Sequence, residues 1–219
     1  CSSNPLKNII LHWNEQLDSL ICAGNDLTTI NISRNKGLLY LDCGFNKLKS
    51  LDVSKHTSLM TLKCNGNQLC SLALEPNNNL SVLECEQNQL PSLELTNNPQ
   101  LTVLKCRGNF IAALNLVENP LLKTLYCESN NLTELDISKC DSLQIVESGF
   151  NKIGSLDLSR LYALTSLNVI ENNLTELDIS HNTKLINCWY YGNRLNFATI
   201  PPPWPTWEWF VYAPQQPVL

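Results

Sequence analysis

The sequence predicts a mainly β, right-handed solenoid of stacked 21-residue coils. A parallel sheet lines its concave face, a second short-strand ladder runs along its convex side, and there is little or no helix. Three observations predict this. An asparagine recurs at Asn4, Asn25, Asn46, Asn67, Asn88, Asn109, Asn130, Asn151, Asn172 and Asn193 with no slip of register. Seven cysteines, Cys1, Cys22, Cys43, Cys64, Cys85, Cys106 and Cys127, keep the same interval of 21. Around both stands L-x-x-L-x-C-x-x-N-x-L-x-x-L-D-h-S, with h a branched aliphatic residue, followed by four variable residues; it is clearest from Leu122 to Ser138. A fixed period of this length is the mark of a repeat architecture.

Nine repeats begin, at Leu17, Leu38, Leu59, Leu80, Leu101, Leu122, Leu143, Leu164 and Leu185, after a truncated repeat over residues 1–16. The solenoid is expected over 1–200. Within a repeat, two stretches alternate with the period of a strand that has one buried face. Leu125 and Cys127 point inward and Tyr126 outward; Leu135 and Ile137 point inward, Asp136 and Ser138 outward. The first stretch stacks into the sheet and the second into the weaker ladder. What lies between is too short for a helix. One coil alone does not offset the entropy of ordering its backbone, so stability comes from stacking.

The asparagine stands where the chain leaves the first strand and turns. A buried amide there satisfies backbone groups left unpaired by the bend, and coil on coil these side chains form a ladder. Cysteine fills an inward position, where a free thiol behaves as a small hydrophobe. In-register parallel neighbours present their thiols side by side, a poor match to disulfide torsion, so buried free thiols are expected. Ser148, Val169 and Tyr190 take the cysteine place in the last three repeats. Cys188 replaces a core leucine, and the spacing assigns no role to Cys70 or Cys140.

The pattern resembles bacterial leucine-rich repeats, in particular the 21-residue cysteine-containing type of internalin-like surface proteins and of secreted anaerobe proteins. The resemblance covers about residues 1–200. It implies export to the cell surface or medium and a ligand on the concave face. Cys1 sits one period before Cys22, so the chain starts inside a repeat, and any signal or anchor is expected upstream of it. Residues 201–219, rich in proline and tryptophan, have no repeat register. They are expected to form a C-terminal cap, with residues 207–212 as a last strand, or a linker.

Composition narrows the function. A net charge of -5 argues against wrapping nucleic acid, which needs clustered Lys and Arg. No apolar run approaches the roughly 20 residues of a membrane-spanning helix. His12, His56 and His181 stand beside no plausible nucleophile, and no metal-ligand spacing or phosphate loop is present, so no catalytic residue, cofactor or metal is expected.

Outward residues of the first strand form two rows along the concave face. Ten of them are the candidate partner-binding residues: Asp42, Lys63, Glu84, Glu86, Lys105, Arg107, Tyr126, Glu128, Trp189 and Tyr191. Lateral pairing of Asp42 with Lys63, Lys63 with Glu84, and Glu86 with Arg107 is one reading of the alternating charges. A recognition patch anchored on Arg107 and Tyr126 is the other, since these residue types dominate hot spots. Trp189 and Tyr191 offer rings to a sugar or a protein loop. The expected function is a non-catalytic binding domain of an exported bacterial surface protein, recognising a protein, host proteins included. Alternatives are a glycan-binding module, a structural spacer, and the recognition part of a larger protein with a separate effector domain.

Overall fold

The computed structural model describes residues 1–196. The expected cap or linker at 201–219 lies outside the described residues. Nine strands follow in chain order: β1 (Ser19–Ile21), β2 (Tyr40–Asp42), β3 (Thr61–Lys63), β4 (Val82–Glu84), β5 (Val103–Lys105), β6 (Thr124–Tyr126), β7 (Ile145–Glu147), β8 (Ser166–Asn168) and β9 (Asn187–Trp189). They pair in that order as one nine-stranded parallel sheet. Each residue faces its equivalent in the next coil, as Leu104 faces Leu125 and Lys105 faces Tyr126. The described residues contain no helix. The chain is a leucine-rich-repeat solenoid with its parallel sheet where the alternation places it.

The core is a set of columns running from coil to coil. Strand centres from Leu41 to Leu167 are fully buried, and so are the thiols of Cys22, Cys43, Cys64, Cys85, Cys106 and Cys127. All ten cysteines are unpaired, and Cys1 and Cys70 are exposed. Burial is the main cause lifting the Cys22 thiol to about 11 and that of Cys188 to about 12, so these side chains stay neutral and pack as apolar groups.

Just past each strand the chain turns through left-handed backbone. Gly24, Gly66, Gly108 and Gly192 take it without penalty, whereas Phe45, Gln87, Ser129, Phe150 and Glu171 adopt it at φ between 50° and 55°. For a non-glycine residue this costs roughly 1–2 kcal/mol. Glycine serves a second purpose here. A Cβ on Gly66 would stand 2.6 Å from the Phe45 ring, which lies over it.

The recurrent asparagine closes the turn. Asn109 Nδ2 donates to the carbonyls of Cys106 in its own coil and Cys85 in the preceding one, at 3.0 and 3.1 Å. Its Oδ1 accepts the Leu90 N–H at 3.0 Å. Asn46, Asn67, Asn88, Asn130, Asn151 and Asn172 repeat the arrangement. Each amide therefore bonds across the coil boundary as well as within its coil.

A second ladder was not expected. It occupies the stretch read as four variable residues, and comprises Asn35, Asn77, Asn98, Asn119 and Asn182. Asn98 Nδ2 donates to the Leu74 and Asn77 carbonyls at 3.1 and 2.9 Å. His56 takes one place: its Nε2 lies 3.1 Å from the Ile32 carbonyl, which only accepts, so Nε2 carries the proton. Cys140 takes another, its Sγ donating to the Leu116 and Asn119 carbonyls at 3.7 Å. Its place, unassigned from spacing, is thus a ladder position rather than a bridge.

The convex side carries less pairing than the alternation suggests. Among the described residues its strand ladder reduces to one bridge, Asn115 with Asp136. The conserved-in-register Asp or Asn explains why: Asp136 Oδ1 accepts the Ser138 N–H at 3.0 Å, and Asn31, Asp52, Asn115, Asp157 and Asp178 do the same two residues on. These local turns satisfy the backbone from within each coil and bend it away from its neighbours.

Candidate functional site on the concave sheet

The outward side of the sheet carries all ten candidate residues, and the strands fix their order. Asp42, Lys63, Glu84, Lys105, Tyr126 and Trp189 end β2, β3, β4, β5, β6 and β9; Glu86, Arg107, Glu128 and Tyr191 stand two residues beyond a strand end. Strand pairing brings Lys63, Glu84, Lys105 and Tyr126 side by side.

Glu84 is the hub of this group. It accepts Lys63 Nζ at 3.4 Å and Lys105 Nζ at 3.0 Å. Lys105 Nζ also stands 5.8 Å from the Tyr126 ring centroid, within cation–π range. The hydrogen bond that Lys105 donates to Glu84 is the leading cause that raises the Lys105 pKa, so this ammonium is firmly charged.

Two of the three expected lateral pairs do not form. Asp42 turns to its own backbone and accepts the Gly44 N–H at 3.1 Å, leaving Lys63 to Glu84. Among the described residues Glu86 and Arg107 make no ion pair. Arg107 is exposed, one coil before Glu128 and one coil after Glu86.

Glu128 departs most from the sequence reading. The alternation makes it outward, yet it is only 9 % exposed. Its Oε2 is buried with no hydrogen-bond partner. The reason lies in the next coil, where Gly149 occupies the adjacent place. A Cβ there would meet Ile170 Cγ1 at 2.8 Å and Asn168 Oδ1 at 3.2 Å, so these side chains lean over the bare backbone beside Glu128. Burial, reinforced by Glu147 and Glu86 and opposed by its own amide and Arg107, lifts the Glu128 carboxyl to about 7. Glu147, which faces Tyr126 across the strand pair, is raised too, chiefly by burial, with Asn168 and Ser166 opposing. Glu147 was not among the candidates; its place in the row beside Tyr126 is the signal that would have added it.

Trp189 and Tyr191 are half-buried in the last described coil. They stand three coils from Tyr126, about 14 Å at the usual strand spacing. The ten residues thus divide into a central charged group and a terminal aromatic pair.

A shallow hollow of about 530 Å³ on the convex side is lined by Asn115, Asp136 and Asp157, but each of these side chains already caps a backbone N–H. Among the described residues no group of three or more His, Cys, Asp or Glu side chains is placed to hold a metal ion. None of their helices is long and apolar enough to cross a membrane.

No protein-family model matches the chain, and no curated sequence does. Solved structures do. The functional domain of InlJ from Listeria monocytogenes, described as including a cysteine ladder, is 32% identical over 87% of this chain and 47% of its own, with a TM-score of 0.73. A leucine-rich-repeat protein of Leptospira interrogans is 27% identical over 83% of this chain and 51% of its own, at 0.77. The internalin InlF from Listeria monocytogenes is 26% identical over 85% of this chain and 58% of its own, at 0.79. The chain spans about half the length of these structures. The likeness is one of fold, and with the first of these structures the chain shares a cysteine ladder; it is a leucine-rich-repeat solenoid that resembles the internalins.

Proposed function

We propose that this chain is the partner-binding domain of an exported bacterial surface protein and that it recognises a protein through the concave sheet, without catalysis. One observation carries this reading. The sheet holds an exposed Arg107, without an ion pair among the described residues, next to a Lys63–Glu84–Lys105–Tyr126 network on strands whose backbone is fixed in register. Side chains on such strands vary without disturbing the core, which is how solenoids acquire binding surfaces. Arg and Tyr on a rigid frame are the residue types that anchor protein interfaces. Likeness to internalins supports the surface location.

A glycan-binding reading has one observation of its own: Trp189 and Tyr191 stand two residues apart at the end of the sheet, both half-exposed. The test separates the two. The purified chain is screened against a panel of host and bacterial surface proteins and a glycan array, beside Arg107→Ala/Tyr126→Ala and Trp189→Ala variants with native circular dichroism. Protein binding lost in the double variant and kept in Trp189→Ala is expected. Sugar binding lost only in Trp189→Ala would replace the protein reading, and protein binding indifferent to both variants would remove the concave face as its site.

A further inference from the structure

Glu128 poses a problem that the fold alone does not solve. A carboxylate so enclosed costs several kcal/mol unless it is neutralised or bonded. No other residue meets either condition: Oε2 has no donor, Arg107 forms no ion pair with it within 4.0 Å, and only the residue's own amide bonds the carboxylate. An apolar residue or a glutamine would fill the same place at no such cost, and Ala23, Asn65 and Ile170 do so elsewhere in the row. The neighbours compound the cost instead of relieving it. Glu147 lies diagonally across in the next coil, and Glu86 lies two coils back. Glu128 thus feels two other carboxylates against one cation, Arg107.

The surroundings describe what is missing. Tyr126, the last residue of β6, two residues before Glu128 and paired with Glu147, supplies a half-exposed aromatic ring. Gly149 leaves bare backbone at the fourth corner, covered only where the Ile170 and Asn168 side chains lean across. A half-exposed ring beside two carboxylates is complementary to an organic cation, through ion pairing and cation–π contact together. A metal ion is a poor fit, since no metal-holding group of side chains exists among the described residues.

We propose that the concave face receives a lysine or arginine side chain of its protein partner between Glu128 and Glu147, beside Tyr126, with Glu128 as the buried counter-charge. This rests on the protein-binding reading and adds the partner's chemistry to it. The entering cation neutralises the carboxylate that the fold leaves unpaired. Binding is therefore coupled to loss of a proton. With its carboxyl lifted to about 7, Glu128 is largely protonated at pH 6 and largely ionised at pH 8, so a cationic ligand binds about tenfold more weakly at pH 6. The groups facing it are Arg107 and Glu86 from the preceding coils, Glu147 from the following one, and Tyr126 with Lys105 in the neighbouring row.

The test uses a random heptapeptide library selected on the immobilised chain at pH 8, then synthetic copies of the enriched peptides titrated at pH 6 and pH 8. Glu128→Gln keeps the shape and removes the charge, so it folds. The elevated pKa means that Glu128 favours folding below its unfolded value near 4.5 and that this contribution is lost as pH rises through about 7, so the variant is the more stable form at pH 8. Expected are peptides holding at least one Lys or Arg, displaced by Tyr126→Ala, about tenfold weaker at pH 6, and at least tenfold weaker with no pH dependence on Glu128→Gln. Peptides that depend on Tyr126 but lack basic residues, or bind Glu128→Gln equally well, overturn this inference and leave the concave site standing. Peptides indifferent to Tyr126, Arg107 and Glu128 alike overturn the site itself.

Discussion

The two asparagine ladders of this solenoid do the same job with different completeness. In the turn behind the sheet every amide from Asn46 to Asn172 uses both ends: Nδ2 donates within and across coils, and Oδ1 accepts a leucine or isoleucine N–H from the coil before. On the convex side only Nδ2 is engaged. The Oδ1 atoms of Asn35, Asn77, Asn98, Asn119 and Asn182 are buried without a partner. The first ladder admits no other residue over ten coils, whereas the second gives way to His56, Cys140 and Leu161. A position that needs only a donor accepts an imidazole or a thiol; one that needs a donor and an acceptor in fixed places accepts only asparagine.

Breaking each ladder at one coil should expose the difference. Asn109→Ala strands the Leu90 N–H and takes one of two asparagine donors from the Cys85 and Cys106 carbonyls, which keep Asn88 and Asn130. At roughly 1–3 kcal/mol for the stranded N–H and about 0.5–1.5 kcal/mol for each of the two other bonds lost, the loss should be about 3–4 kcal/mol. Asn98→Ala takes one donor from the Leu74 and Asn77 carbonyls, which each keep a backbone N–H, and removes an orphaned oxygen, so about 1–2 kcal/mol is expected. Asn98→His, copying what coil three already does at His56, should cost less than about 1 kcal/mol. Urea denaturation followed by circular dichroism reads all three. Equal losses for Asn109→Ala and Asn98→Ala would refute the distinction.

The smallest expected effect sharpens the comparison from the turn's other residue. Phe45 holds a left-handed backbone at φ 50° while 59 % exposed, so Phe45→Gly removes strain and little burial. A gain of up to about 1 kcal/mol is predicted, read as a higher denaturation midpoint. A loss would mean that the ring's contact with Gly66 stabilises the turn more than its backbone strains it.

The sheet, its register and the thiol column were legible because each repeats at 21 with the period-2 alternation intact. The convex ladder was not. His56, Cys140 and Leu161 interrupt its asparagines, and what the first two share with them, a donor aimed at a carbonyl of the preceding coil, is invisible in residue names. The candidate site was half legible. Alternation placed all ten residues on the outward face, but it equates outward with exposed. Glu128 is enclosed because of Gly149 and of Ile170 leaning over it, a consequence of the next two coils rather than of its own. Charge pairing was misjudged at Asp42 for a related reason: its nearest donor is its own chain's Gly44 N–H, which a coil-to-coil comparison overlooks.

The two faces of the molecule offer the most direct test of the functional account. Tyr126 lies on the sheet and Tyr162 on a turn of the opposite side, the latter 61 % exposed. Each is replaced by alanine, and the affinity for a protein captured in the surface-protein panel is measured by titration calorimetry. The account predicts at least a tenfold loss for Tyr126→Ala and no change for Tyr162→Ala. Affinity lost at Tyr162 and kept at Tyr126 would contradict it and move the binding surface off the sheet.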